Sequence, residues 1–246
     1  MVRLKKKIRV LLIVLVCLVL VLYFGLLAWS NNTYAPADEM WEYVDEDDYS
    51  VVGDFTIFTP KIVANGIGIV IYPGALVEPL AYAYYANELS KEGYLVCILQ
   101  VAFNMSIFET NKAGEFINEH EEVDTWYVAG HSMGGVSAAS YALDNVDIVE
   151  GVIFFASYPS DATDLSKTNL RILSIYAEND GLTLQEDIDN SMALLPPSAE
   201  YVEILGGNHA GFGMYGLQKY DNAATITNLE QQDQMVSLTI AFIENE

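Results

Sequence analysis

Positive charge is nearly missing from most of this chain. Of 11 lysines and arginines, five (Arg3, Lys5, Lys6, Lys7, Arg9) precede residue 10. The other six (Lys61, Lys91, Lys112, Lys167, Arg171, Lys219) share the remaining sequence with all 34 acidic residues. Such a surface repels phosphate backbones, which argues against nucleic acid as a partner and favours solubility. Cysteine is scarce too. Cys17 lies in an apolar amino-terminal run and Cys97 in a strand-like segment, so there is no disulfide framework. Only three histidines occur (His120, His131, His209), which narrows the search for a catalytic base. No Gly-Lys-Ser/Thr completes a phosphate loop, and no internal repeat is visible.

What is present suits one well-buried domain, since 246 residues leave little room for two. Four parts are expected. Residues 1–9 form a basic segment. Residues 10–29 carry no charge, and a helix of that length spans roughly 30 Å, the hydrocarbon thickness of a bilayer. This reads as a transmembrane anchor, too long for the core of an ordinary signal peptide. The basic cluster should stay in the cytoplasm and the rest outside, in the cell membrane. Ala28-Trp29-Ser30 also reads as a cleavage site, which would make the protein secreted. Residues 30–50 look like a solvated acidic linker; Asp45-Glu46-Asp47-Asp48 lacks the spaced ligands and glycine of a calcium loop. Residues 51–246 form the catalytic domain.

In that domain short apolar runs alternate with helical patterns. Strands are expected at 51–58 and 62–64 (a leading antiparallel pair), 67–72, 94–101, 125–129, 149–157, 170–177 and 200–205. Helices are expected at 76–92, 108–120, 133–143 and 183–195. Thr227-Asn228-Leu229-Glu230 reads as a capping box opening a terminal helix. The alternation implies an α/β fold with a mostly parallel sheet and helices on both faces. Ligands bind such sheets at the carboxyl ends of the strands.

Chemistry concentrates at those ends. Gly130-His131-Ser132-Met133-Gly134 has the form G-x-S-x-G between a strand and a small-residue helix. A sharp turn of this kind exposes the serine hydroxyl, and flanking glycines relieve crowding. Ser132 is therefore the candidate nucleophile. His209, in the loop after the last strand, is the candidate base. His131 must point away from its neighbour, and His120 sits among acidic surface residues. Asp180, in Glu178-Asn179-Asp180-Gly181, is the candidate carboxylate, with Glu178 and Asp187 as rivals. The order Ser132, Asp180, His209 suits this fold. Oxyanion donors are expected from the Met133 amide and, since Pro73 has no N–H, from Ala75, with Leu76 as runner-up.

These segments, with Tyr72-Pro73-Gly74-Ala75, Gly207-Asn208-His209-Ala210-Gly211-Phe212-Gly213, Tyr215-Gly216 and Gln218, resemble the compact "fold-5" α/β hydrolases, relatives of dienelactone hydrolase-like enzymes. The resemblance covers roughly residues 60–246. It implies an eight-stranded sheet and a Ser-Asp-His triad cleaving esters or similar acyl bonds. Pro73 stands where many members of the superfamily carry histidine, and dienelactone hydrolase itself uses a cysteine nucleophile.

The 48 positions between nucleophile and acid, and 29 between acid and base, leave no room for a large cap. A shallow pocket and a short acyl group are favoured. Gly74, Leu76, Phe212 and Tyr215, with Asn208 and Met214, are candidates to line it. The expectation is a membrane-tethered serine esterase acting on a small ester or acyl substrate, with no cofactor and no metal. Amidase, peptidase or acyltransferase action, or a binding protein that kept the fold, are the alternatives.

Overall fold

The structure is a computed structural model that describes residues 2–245, with side chains described from residue 7. The side chains of Arg3, Lys5 and Lys6 in the basic cluster, and Met1 and Glu246, lie outside the described residues.

Eight strands form one sheet in the order β1-β2-β4-β3-β5-β6-β7-β8. They are β1 (Ser50–Val52), β2 (Phe55–Phe58), β3 (Ile67–Tyr72), β4 (Leu95–Leu99), β5 (Thr125–His131), β6 (Val149–Phe155), β7 (Arg171–Ala177) and β8 (Glu200–Ile204). Strands β3 to β8 run parallel, whereas β1 and β2 pair antiparallel and make the sheet mixed. The leading hairpin takes up nearly the whole of the expected first strand, spanning Ser50–Phe58: Val52 pairs with Phe55 around Gly53-Asp54, with Gly53 at φ 59°. That is the two-residue turn a tight hairpin favours. Residues 62–64, expected as its second strand, form no strand.

Six α-helices are described: α1 (Val2–Ser30), α2 (Ala83–Lys91), α3 (Lys112–Ile117), α4 (Met133–Asp144), α5 (Gln185–Ser191) and α6 (Asn228–Glu244). Several are shorter than expected because 3₁₀ turns take up their ends, at Pro79–Tyr82, Ser106–Phe108 and Met192–Leu194. Alternate residues of each central strand point to opposite faces. Ile69, Ile71, Val96, Ile98, Ile153 and Phe155 pack under α2 and α6. Val70, Tyr72, Cys97, Val128 and Phe154 pack under α3 and α4. Both faces are covered, which explains the nearly continuous apolar strands.

Residues 7–30 of α1 form a helix long and apolar enough to cross a membrane, and its most apolar 18-residue stretch has no buried residue. The segment after it corrects the expectation of a solvated linker. Tyr34 bridges to Val77, and its amide donates to the Leu76 carbonyl at 2.7 Å. Met40 and Val44 are buried in the same core as the sheet. Two short 3₁₀ turns, Asp38–Glu42 and Glu46–Asp48, direct these apolar residues inward while the carboxylates stay outside.

Candidate active site

The site lies where chain order reverses across the sheet: β3 has β4 on one side and β5 on the other. Tyr72 pairs with Gly130, so the loops after β3 and β5 emerge side by side. Such a switch point opens a crevice at the carboxyl ends.

Ser132 follows β5 at φ 52° and ψ −122°, a conformation strained for a residue with a Cβ. Its amide donates to the Phe155 carbonyl at 3.0 Å, and its carbonyl accepts from Ser157 Oγ. The turn is held from both ends and opens directly into α4. Glycine is required around it. A Cβ on Gly130 would lie 2.3 Å from the Gly134 carbonyl carbon, and one on Gly134 would lie 2.1 Å from the Tyr72 oxygen. This contact presses the first turn of α4 against the loop after β3.

In that loop, three consecutive amides have different fates. The Gly74 N–H donates to the Tyr82 hydroxyl at 2.9 Å, and the Leu76 N–H to the Asn104 carbonyl at 2.8 Å. The Ala75 N–H has no acceptor among the described residues. Of the two expected donors in the loop, Ala75 is thus the one free to bind an incoming oxygen. Leu76 is held at φ 61° with its amide occupied.

His209 follows β8, three strands from β5, roughly 14 Å away at normal strand spacing. Its loop nevertheless turns back, so that the His209 and His131 rings lie 4.6 Å apart between centroids. His209 Nδ1 is 2.8 Å from Asp180 Oδ2, both side chains being almost wholly buried. The other carboxylate oxygen accepts the Leu182 and Thr183 amides, each at 2.7 Å. An acceptor-only carboxylate makes Nδ1 the donor and leaves the lone pair on Nε2. Nε2 is buried and has no hydrogen-bond partner among the described residues.

The rival carboxylates have structural tasks. Glu178 accepts the Gly206 amide at 2.8 Å, and Asp187 caps its helix through the Leu184 amide at 2.9 Å. His120 stacks on Phe116 at the opposite end of the sheet, bonded to the Phe116 carbonyl at 2.8 Å. His131 points away from the serine, as expected, into a buried pocket. There the Tyr82 hydroxyl, which accepts from the Gly74 amide, hydrogen-bonds His131 Nδ1 at 2.9 Å. Burial and the neighbouring His209 hold the His131 pKa well below its ordinary 6.5, so it stays neutral.

Two expected lining residues are in the core instead. Phe212 has no exposed surface and stacks between Phe155 and His131. Tyr215 is buried against Tyr34 and His131 and donates to Gln218. Phe212 is carried inward on a 3₁₀ turn at Ala210–Phe212. Met214 and Asn208 are buried as well, and so is Gly74. Ser132, Met133, Ala75 and Leu76 are half-buried and reach the surface.

Sequence reasoning missed the residues that hold the histidine loop. Asp221 accepts the amides of Gly181 (3.0 Å), His209 (3.3 Å) and Ala210 (2.8 Å), tying the acid loop to the base loop. Gln231 of α6 pairs reciprocally with the backbone of Asn208, at 3.0 and 2.9 Å. Gln232 donates to the Gly211 carbonyl at 2.7 Å. Among the described residues, no group of three histidine, cysteine or acidic side chains is arranged to hold a metal ion.

The pattern that defines the alpha/beta hydrolase family matches residues 68–233, more than half of the chain. The chain belongs to the alpha/beta hydrolase family. Among solved structures it is similar to the alpha/beta hydrolase MGS-MChE2 from the sediment metagenome of the Mar Chica lagoon, Morocco. That pair shares 17% identity at a TM-score of 0.60, over 80% of this chain and 97% of the other. It is also similar to an alpha-beta serine hydrolase homologue from Coxiella burnetii (17% identity, TM-score 0.58, 80% and 99% covered). A third is dienelactone hydrolase from Anabaena variabilis (14% identity, TM-score 0.57, 79% and 94% covered). At these identities the likeness is one of fold. A search of curated proteins finds no match. This hydrolase has no large insertion between β7 and β8, which are joined by residues 178–199.

Proposed function

We propose that the protein is a serine hydrolase that cleaves a carboxylic ester or related acyl bond. The observation that carries this is the buried Asp180–His209 pair, 2.8 Å apart, whose unengaged Nε2 belongs to a ring packed beside the residue preceding strained Ser132. In this reading Ser132 Oγ attacks the acyl carbon while His209 Nε2 takes its proton. Asp180 keeps Nδ1 protonated and stabilises the imidazolium. The carbonyl oxygen gains negative charge against the Ala75 and Met133 amides. The proton on Nε2 then passes to the departing alkoxide. Water, deprotonated by the same nitrogen, attacks the acyl carbon, and as the acyl–serine bond breaks the proton returns to Ser132 Oγ, releasing the acid. Every electron pair moves between serine, acyl carbon and water, so no cofactor enters the scheme.

We also place α1 across the cell membrane as a single anchor. The catalytic domain would then be extracellular, because the basic cluster precedes the apolar span. A fluorophosphonate probe tests the enzyme reading. Wild-type protein should be labelled and Ser132→Ala should not; an unlabelled wild type, or equal labelling of both, overturns it. Paired esters and amides of one acid then separate esterase from amidase action.

A further inference from the structure

The loop after β4 carries a feature that catalysis does not use. Residues 101–108 contain no charge in a chain with 34 acidic residues. Ile107 and Phe108 are 44% and 56% exposed. Phe103 and Asn104 sit at φ 57° and 50°, which turns this loop outward as a knuckle.

The knuckle is fastened to α1. The Phe103 ring meets the Tyr23 ring edge-on at 6.5 Å and the Phe108 ring at 5.8 Å. Asn104 Nδ2 donates to the Ser30 carbonyl at 2.9 Å. Two contacts about two helical turns apart fix the helix along the loop, so Phe103 shares the depth of Tyr23. That depth follows from arithmetic. Arg9 stays on its own side of the bilayer, and about 30 Å of hydrocarbon at 1.5 Å per residue brings the far boundary to Trp29. Tyr23 is then roughly 9 Å inside that boundary.

The same knuckle braces the catalytic rim. The Asn104 carbonyl accepts the Leu76 amide at 2.8 Å, and Ser106 Oγ donates to the Pro73 carbonyl at 2.6 Å. Leu76 directly follows Ala75, and Pro73 lies two positions before it.

From this we infer that Phe103, Ile107 and Phe108 insert into the leaflet beside α1 and hold the Ser132 rim against the bilayer, so that the substrate is an acyl ester residing in the membrane. The chemistry rests on the serine-hydrolase reading above, and the depth on α1 spanning the membrane. The bilayer then supplies apolar cover to a site that has no large insertion over it among the described residues.

The test uses the full chain in phosphatidylcholine vesicles, in a Cys17→Ser background. Ile107→Cys carries an environment-sensitive dye. Val63→Cys, at the opposite end of the sheet and 90% exposed, is the control. The dye at 107 should be blue-shifted in the vesicles and quenched by lipids with a nitroxide near the top of the acyl chain, and the dye at 63 should show neither change. Equal responses, or none at 107, overturn the insertion whether or not the protein is an enzyme. Activity is read on p-nitrophenyl palmitate in the vesicles and on p-nitrophenyl acetate in water. Ile107→Asp with Phe108→Asp should lower palmitate hydrolysis at least about tenfold and leave acetate hydrolysis unchanged. A wild type that cleaves acetate but not palmitate overturns the membrane substrate. One that cleaves neither overturns the enzyme reading, and with it the substrate, while the quenching still decides the insertion.

Discussion

Replacing Asp180 with asparagine changes one atom at the most constrained point of the site. Oδ1 of Asp180 accepts two backbone amides, Leu182 and Thr183, each at 2.7 Å, while Oδ2 faces His209 Nδ1. An asparagine has one oxygen and one NH₂ to distribute. Turning the NH₂ toward the amides would set it against two N–H groups, each costing about 1–3 kcal/mol when left without an acceptor. Turning it toward His209 opposes a single ring nitrogen, which can change tautomer. The oxygen therefore stays with the amides and the NH₂ donates to Nδ1. The proton of the neutral ring then moves to Nε2, which can no longer accept one from Ser132. By analogy with other triads the loss in kcat is about 10⁴-fold, or about 5.5 kcal/mol of barrier. Global stability should change far less, because both amides keep their acceptor. Steady-state hydrolysis of an activated ester, with thermal unfolding in parallel, checks this. A variant within tenfold of wild-type kcat would refute the assignment of Asp180. A large loss of stability would refute the amide argument.

Other outcomes follow from the surrounding bonds. Asp221→Ala leaves the Gly181, His209 and Ala210 amides without their acceptor; it should cost about 2–4 kcal/mol in chemical denaturation and lower kcat more than it raises KM. Tyr82→Phe strips both the Gly74 N–H and His131 Nδ1 of their partner, so denaturant unfolding should register a loss of about 2–4 kcal/mol. His131 has a folded pKa well below 6.5, so below that pH the unfolded chain binds a proton that the folded one refuses. Its contribution is whole above pH 6.5 and drains away as pH falls, by up to about 1.4 kcal/mol per unit. His131→Asn should flatten the acid limb of a melting-temperature profile, and an unchanged limb would assign the acid sensitivity elsewhere. Gly134→Ala forces a Cβ to 2.1 Å from the Tyr72 oxygen; a loss of about 1–3 kcal/mol or more is expected, with kcat falling as the Ala75 loop shifts.

The triad candidates were readable because each follows its own strand, and strand-end loops carry chemistry in parallel sheets. Their local motifs also needed only a few adjacent residues. Asp221 and Gln231 were not readable for the opposite reason. They act on backbone amides 11–40 positions away, and an amide has no sequence signature. Phe212 and Tyr215 looked like pocket residues by proximity to His209, yet both are buried in the core, Phe212 on a 3₁₀ turn that starts one residue after the histidine. The 30–50 segment misled through composition: its carboxylates dominate the average, while Met40 and Val44, spaced by a turn, make the contact. The missing strand at 62–64 is a case of a short apolar run with no neighbouring edge left, since β2 already pairs with both β1 and β4.

The packing of Tyr34, Met40 and Val44 decides where this protein can be shortened. Removing α1 alone leaves the Tyr34 bonds to Leu76 and Glu78 and the two buried side chains in place. Cutting at residue 50, where composition marks the boundary, would expose the groove those side chains fill and unclamp the Leu76 backbone beside Ala75. A water-soluble form that is still folded around its rim therefore begins between residues 31 and 33, and release of the domain by a protease is compatible with an intact site only if the cut falls in that three-residue window.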